Sequence, residues 1–321
     1  MRSLGWVYQP QAIDEFTNEL ARRSPSSYSF AAALPALSGY GRGKNVFQWR
    51  MAQQLFGNPM PPYSQQRGIC VGCGTARAIQ NSLWSQILKD NDLLLTGTPA
   101  FPFNFALEFI YGMSRAHPQL GNGALGASDG STGAWAAQCV HDFGVPVRQK
   151  YSTVDLTLIN ERIACDVWGI PGGYRQIPKD IFENAFEHPV EACHRCLTGA
   201  EIRDAVAAGY GVALCLPKYA TDRDARGMSR LNQIGGHCTA VDGCFVDDRG
   251  NECFTVPQSW GGLPRGPLGI FLKSGERVVM PVGTYGCYLQ EVDSLLRQGE
   301  AWAFGEITGD RPNTVTPGEF L

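Results

Sequence analysis

The chain has 321 residues, 44% of them apolar, and a formal net charge of −3 from 27 basic and 30 acidic side chains. That is enough apolar material for one large domain or two packed lobes. The near-balanced charge, with no basic run interleaved with aromatics, argues against a nucleic-acid partner, and no stretch of about 18 apolar residues is present to span a membrane.

In chain order, the first residues, Met1-Arg2-Ser3-Leu4-Gly5-Trp6, carry neither an apolar run nor a small-residue cleavage site. The expectation is therefore no signal peptide, and a protein that stays in the cytoplasm or is packaged into a virion or other assembly. Gln11 to Arg22 fits a short helix. The remainder up to Pro59-Met60-Pro61-Pro62 is rich in Ser, Gly and Pro, which is loop chemistry. Residues 1–60 thus read as an arm that wraps the main body or as a short pro-segment.

From Cys70 to about Lys89 the pattern is helical. Gly72, Gly74, Ala76 and Ala78 fill its first turns, followed by Ile79, Leu83, Trp84, Ile87 and Leu88. A helix that begins with small residues can lie deep inside a protein. Phe101 to Arg115 reads as a second helix, Gly121 to Gly133 as a glycine-rich loop, and Thr132 to Phe143 as a third helix stopped by Gly144 and Pro146. Near residue 150 the composition shifts toward strands. Gly199 to Ala208 is helical and Gly209 to Leu216 is a buried strand. His237 to Phe245 and Cys253 to Pro257 read as paired strands joined by a turn at Asp247-Asp248-Arg249-Gly250, and Tyr285 to Leu289 as a further strand. The expected organisation is an arm (1–60), a helical lobe (61–150) and a β-rich lobe (151–321), with no internal repeat.

Three short segments carry the chemistry. Gln65-Gln66-Arg67-Gly68-Ile69-Cys70 ends in a cysteine at the start of a helix. Gly235-Gly236-His237 opens a strand, and Gln258-Ser259-Trp260-Gly261 follows another. A helix N-terminus and a nearby imidazolium both stabilise a thiolate, the nucleophilic form of cysteine. Two glycines before His237 let backbone come close while the ring faces a cleft. A side-chain amide at Gln258 can hold one imidazole nitrogen and so leave the other for the thiol. The amide of Gln65 or Gln66, with the backbone N–H of Cys70, can supply donors for an oxyanion.

Arg67-Gly68-Ile69-Cys70-Val71-Gly72 resembles the Arg-Gly-Thr-Cys-Val-Ala/Gly segment of bacterial papain-like cysteine peptidases, and the similarity continues through Ala76, Ala78, Ile79 and Gln80. Gly236-His237 through Gly243 keeps the family's spacing, and Gln258-Ser259-Trp260-Gly261 is similar to its Asn-Ser-Trp-Gly. Ser128-Asp129-Gly130-Ser131 resembles its substrate-loop glycine, and Glu201 to Gly209 its helix leading into the barrel. The resemblance, to a divergent bacterial or phage-type member, covers roughly residues 60–295. It implies an α+β, two-lobed fold: an N-terminal helical lobe with Cys70, a C-terminal antiparallel β-barrel-like lobe with His237 and Gln258, and a cleft between them. The implied activity is thiol-dependent hydrolysis of peptide bonds by a Cys70–His237–Gln258 triad with Gln65 at the oxyanion, on a peptide or protein substrate.

Three departures stand out. Gln258 replaces the family's Asn. The family's oxyanion glutamine lies six residues before the cysteine, where this chain has Ser64, so one deletion is needed to use Gln65. Cys73, with Gln66 seven residues upstream, is a rival nucleophile; the helix pattern after Cys70 favours Cys70, and Cys73 then takes a buried aromatic position of the family. Two other functions remain open: a catalytically weak or inactive fold serving as a structural or binding component with protein partners, as in a phage virion, and a cell-wall peptide amidase.

No cofactor is implied. The eleven cysteines show no framework spacing and read as reduced thiols, with Cys139, Cys165, Cys215, Cys244 and Cys253 as buried small hydrophobes. Cys193-His194-Arg195-Cys196 has no second pair of matching spacing, so no metal is expected there. The Asp247–Gly250 turn lacks the spaced oxygens of a calcium loop.

Overall fold

A computed structural model describes residues 5–23, 29–89 and 104–307. Its first part is helical: α1 (Pro10–Arg23), α2 (Phe30–Ala33), a short strand β1 (Val46–Phe47), α3 (Gln48–Phe56), α4 (Cys70–Lys89), α5 (Leu107–Ala116) and α6 (Gly133–Phe143). Strands dominate the rest: α7 (Lys179–Phe186), β2 (Val190–Arg195), α8 (Gly199–Ala208), β3 (Gly211–Tyr219), β4 (Gln233–Val241), β5 (Gly243–Val246), β6 (Glu252–Pro257), β7 (Gly269–Phe271), β8 (Arg277–Val279), β9 (Thr284–Tyr288), α9 (Leu289–Leu295) and β10 (Glu300–Ile307). The class is α+β. One antiparallel sheet runs β2-β10-β3-β4, a second β1-β5-β6-β9, and β7 pairs with β8. Among the described residues neither large sheet closes into a barrel.

The central element is α4, buried along nearly all of its length. Its small residues are what allow this. A Cβ on Gly72 would lie 2.7 Å from the Leu107 carbonyl oxygen of α5, and one on Gly74 would lie 2.9 Å from the Cys238 sulfur and the Thr239 nitrogen of β4. From the other side, a Cβ on Gly211 of β3 would overlap the Ala78 carbonyl oxygen. Helix and sheet therefore meet backbone to backbone, closer than side chains allow. The flanking apolar residues, including Ile79, Trp84, Ile110, Val140, Ala213 and Phe304, form one buried cluster around the helix.

The structure departs from the sequence expectations at several places. Within the segment read as loop after Arg22, Gln48–Phe56 is helical and Val46–Phe47 pairs with β5. His237 to Phe245 is not one strand. The chain changes sheets at Asp242, so that β4 pairs with β3 and β5 pairs with β6. Asp242 holds this corner: its N–H donates to the Thr255 carbonyl, its own carbonyl accepts from Gln48, and its carboxyl accepts from the Thr255 hydroxyl at 2.7 Å. The second helix begins at Leu107, because Ala106 N–H is taken by the Pro146 carbonyl and Phe105 bridges to Val147; residues 101–103 of that expected helix lie outside the described residues. The turn after β5 is as expected, with the Asp247 carboxylate accepting the N–H groups of Arg249 and Asn251.

All eleven cysteines are free and buried. Cys193 and Cys196 belong to different core clusters, and no group of three or more potential metal ligands occurs among the described residues. No helix among them is long and apolar enough to cross a membrane. The close contact of α4 with β3 gives a stability test. Gly211→Val should lower the free energy of unfolding by about 3 kcal/mol or more, read from urea denaturation, because the clash is with backbone that cannot yield locally. An unchanged midpoint contradicts the packing described.

Candidate active site

The loop before α4 fixes where that helix begins. Arg67 pairs with Asp129 at 3.0 Å and Asp166 at 2.6 Å, and Asp129 also accepts the Gly68 N–H. Cys70 is then the first helical residue, where backbone N–H groups lack partners within the helix and favour negative charge.

β4 brings His237 to the same place. The N–H of Cys238, the next residue, donates to Cys70 Sγ at 3.3 Å. His237 Nε2 lies 2.6 Å from Gln258 Oε1, and Gln258 Nε2 donates to the Ala220 carbonyl at 3.1 Å. A carbonyl oxygen can only accept, so the amide nitrogen faces Ala220 and the amide oxygen faces the imidazole. A neutral ring therefore carries its proton on Nε2. Its Nδ1 is buried and has no hydrogen-bond partner among the described residues. The longer arm of Gln258 thus reaches the imidazole as an asparagine would. Trp260 stacks on the ring, with centroids 4.2 Å apart and planes 21° from parallel, and Tyr219 meets it edge-on at 6.1 Å.

Gln65 is tied to the same segment. Its N–H donates to the Ser259 carbonyl, and Ser259 Oγ donates to Gln65 Oε1 at 2.5 Å. Its Nε2 donates to the Arg67 carbonyl at 2.9 Å. Gln65 is buried, whereas Gln66 is exposed and gives its backbone N–H to Glu161. The structure thus brings Cys70, His237, Gln258 and Gln65 together. Cys73, one turn on, sits beside Tyr63 and Arg77 and makes no hydrogen bond to β4 among the described residues. The holding roles of Ser259 and Ala220 were not read from the sequence. Ser259 lies inside a motif that was recognised, but nothing local marks Ala220.

The N-terminal arm lies across this site. Ser131 N–H donates to the Gly5 carbonyl at 2.8 Å, and Val7 N–H to the Ser131 carbonyl at 2.8 Å, so that Trp6 and Ser131 form a parallel bridge. Trp6 N–H reaches the carbonyl of Gly236, the residue before His237. The Gly5 N–H is directed at the Cys70 sulfur. The fit is tight: a Cβ on Gly5 would overlap the Gly68 carbonyl, and one on Gly236 the Trp6 carbonyl. Behind the crossing, α1 places Ile13, Phe16 and Leu20 in the same cluster as Cys70 and Trp302.

With the arm in place, Cys70 is 0% and His237 3% exposed. Burial pushes the Cys70 thiol up, reinforced by the neighbouring Cys238 thiol and opposed by the surrounding N–H groups. Burial also pushes the His237 imidazole down to about 4, the Gln258 hydrogen bond opposing it. Both groups rest uncharged in this dry site. In the intact chain the His237 ring should therefore stay neutral from pH 7 down to about 5, where an ordinary histidine has already protonated. Its ring resonances, followed by NMR across that range, should not move until near pH 4; a midpoint near 6.5 contradicts a sealed site.

A scan of the sequence against protein-family models gives no match, and a search of curated proteins gives none. Comparison with solved structures does. Xylellain, a cysteine protease from Xylella fastidiosa, superposes with a TM-score of 0.51 at 16% identity, covering 96% of this chain and 92% of that one. Procathepsin B S9 from Trypanosoma congolense gives 0.46 at 12% identity, over 95% and 84%. Bromelain from Ananas comosus, in complex with the inhibitor E64, gives 0.43 at 13%, over 81% and 98%. With its helical first part, its antiparallel sheets and near-complete coverage of xylellain, the chain has the fold of the papain-like cysteine proteases.

Proposed function

We propose that this protein is a latent thiol-dependent peptide hydrolase, with Cys70 as nucleophile, His237 as acid and base, Gln258 as orienter and Gln65 at the oxyanion. The observation that carries the reading is the His237–Gln258 pair. Gln258 holds Nε2 and leaves Nδ1 free, on the strand whose next amide touches Cys70 Sγ. Once the arm leaves and water enters, the thiol can pass its proton to Nδ1 and the two charges stabilise each other. The thiolate attacks a peptide carbonyl carbon. The resulting oxyanion takes hydrogen bonds from the Cys70 N–H and from Gln65 Nε2, turned from Arg67. The C–N bond then breaks as His237 protonates the amine. Water, giving a proton to His237, cleaves the thioester and returns the free thiol.

The arm meets the Cys70 sulfur with a backbone donor. It presents an N–H, that of Gly5, to the sulfur, and the Gly5 carbonyl is turned away to Ser131. The Gly5 carbonyl carbon is thus not offered for attack. In this reading, residues 1–60 act as a covering segment over a helical lobe (61–150) and a β-rich lobe (151–321).

The complete burial of Cys70 favours a second reading, in which the fold serves as a non-catalytic part of an assembly and the arm never leaves. Hydrolysis of an unfolded protein such as casein separates the two. Trp6→Ala, which removes the arm's largest anchor, should raise turnover at least about tenfold over the intact chain. Adding Cys70→Ala should abolish it, adding His237→Ala should lower it by about 10²–10⁴-fold, and adding Cys73→Ala should leave it in place. Turnover that survives Cys70→Ala ends the peptidase assignment, and absence of turnover in Trp6→Ala favours the non-catalytic reading.

A further inference from the structure

Cys70 has a second thiol beside it. The backbone N–H that donates to Cys70 Sγ at 3.3 Å is that of Cys238, whose own side chain starts from the Cα next to that nitrogen. The Cys238 sulfur is directed at α4: a Cβ on Gly74 would lie 2.9 Å from it. Gly74 is four residues after Cys70, so the two positions are neighbours on one face of the helix. The space that a side chain at position 74 would fill is thus taken by the Cys238 sulfur, one helical turn from the nucleophile. The two sulfurs are close enough that charge on Cys238 pushes the Cys70 thiol up.

Two other cysteines compete for a bond to one of these sulfurs. Cys215 stands directly opposite Cys238 on β3, and the two thiols share a hydrogen bond. The Cys238 N–H is spent on Cys70 and is not turned to β3. Cys215 and Cys238 therefore form the non-hydrogen-bonded kind of antiparallel pair, in which side chains are closest. Cys73 follows Cys70 by three residues on α4 and lies beside Tyr63 and Arg77. Of the three, Cys238 is the one whose backbone hydrogen-bonds to Cys70 Sγ among the described residues.

A thiolate activated to attack a carbonyl carbon is also open to peroxide. The Cys70 sulfur attacks one oxygen of hydrogen peroxide. An S–O bond forms, the O–O bond breaks, and the departing hydroxide takes the proton that Cys70 gave up to His237 and leaves as water. The product is a sulfenic acid. A second peroxide would carry it on to the sulfinic acid, which thiols do not reverse. A neighbouring thiol intercepts it first. The Cys238 sulfur attacks the Cys70 sulfur, the S–S bond forms, the S–O bond breaks, and hydroxide leaves with the Cys238 proton as a second water. The two thiols have then given two electrons to one peroxide.

We propose that Cys238 is the resolving thiol of Cys70: when a hydroperoxide oxidises Cys70, Cys238 captures it as a Cys70–Cys238 disulfide, which a dithiol reductant returns to the free thiols. The nucleophile is in this way a site of reversible oxidation and is not destroyed by its first encounter with peroxide. The inference needs the thiolate chemistry of Cys70 and goes beyond peptide hydrolysis.

The test uses the full, unaltered chain. Hydrogen peroxide is added in steps until half of Cys70 has lost its thiol, the remaining thiols are capped with iodoacetamide, and peptides are mapped by mass spectrometry without reduction. Modified Cys70 should be joined to Cys238 at least about tenfold more often than it is found as sulfinic or sulfonic acid, because a thiol held in place acts at an effective concentration well above that of dissolved peroxide. Dithiothreitol should return the joined fraction to thiol. In Cys238→Ala the modified Cys70 should instead be sulfinic or sulfonic acid, whereas Cys73→Ala should leave the cross-link in place. Cys70 that goes mainly to sulfinic or sulfonic acid with Cys238 present, whether or not Cys238 has bonded to Cys215, overturns the proposal, as does Cys70 joined to Cys73. The mapping of the unaltered chain decides the question even where a variant does not fold. The two readings fail separately. A Cys70–Cys238 cross-link without casein hydrolysis by the Trp6→Ala chain leaves the resolving thiol standing and removes the peptidase, and hydrolysis without the cross-link does the reverse.

Discussion

The site depends on how closely one helix and one strand approach each other. Gly74 of α4 lies against the backbone of Cys238 and Thr239 on β4, and a single methyl group there would meet atoms at 2.9 Å. That approach places the first residue of the helix, Cys70, within hydrogen-bond distance of the amide that follows His237. Nothing nearer in sequence than 168 residues produces the encounter. The small residues at the start of α4 are therefore not a mark of weak helix propensity. They are the condition for a thiol and an imidazole to be held by rigid elements rather than by loops, with β3 packed on the same helix through Gly211.

A second constraint acts on charge. Helix-start N–H groups favour a charged Cys70 and the Gln258 oxygen favours a charged His237, yet both sit where water is excluded. Desolvation opposes each charge separately and is relieved only if the two form together or water returns. The arm is what excludes water here. Its crossing joins Gly5, Trp6 and Val7 to both walls of the site, and α1 anchors it to the core through Phe16, whose ring lies 5.1 Å from that of Trp302. The Trp6 indole N–H is held by the buried Glu300 carboxyl.

Much of this was legible in the sequence where the signal is local. The small-residue run followed by Ile79, Leu83, Trp84 and Ile87 fixes α4 from Cys70 to Lys89, and Gly209 with φ +96° ends α8 where a left-handed residue is needed. The order Cys70, His237, Gln258 was readable because each residue stands in a recognisable short segment. What was not legible is what depends on distant partners. The Asp242-Gly243 pair inside His237 to Phe245 is a local breaker signal, but that the chain changes sheets there depends on Thr255 and Gln48, which hold the corner. After Val190, β2 carries Glu191-Ala192-Cys193-His194-Arg195, so strand propensity does not single it out. Gln65 and Gln66 are equivalent in sequence and differ only in that Ser259 captures one of them. Trp6 and Glu300, 294 residues apart, have no sequence pattern in common at all.

The most direct test of the account is whether Cys70 and His237 form an activated pair once the arm is loosened. A limiting dose of a thiol-reactive epoxide, applied to the Trp6→Ala chain between pH 5 and 8 and mapped by mass spectrometry, reads this without a known substrate. The account predicts rapid labelling of Cys70 alone among the eleven cysteines, lost when His237→Ala is added. Slow labelling spread over several cysteines, or labelling of Cys70 that does not depend on His237, would contradict it.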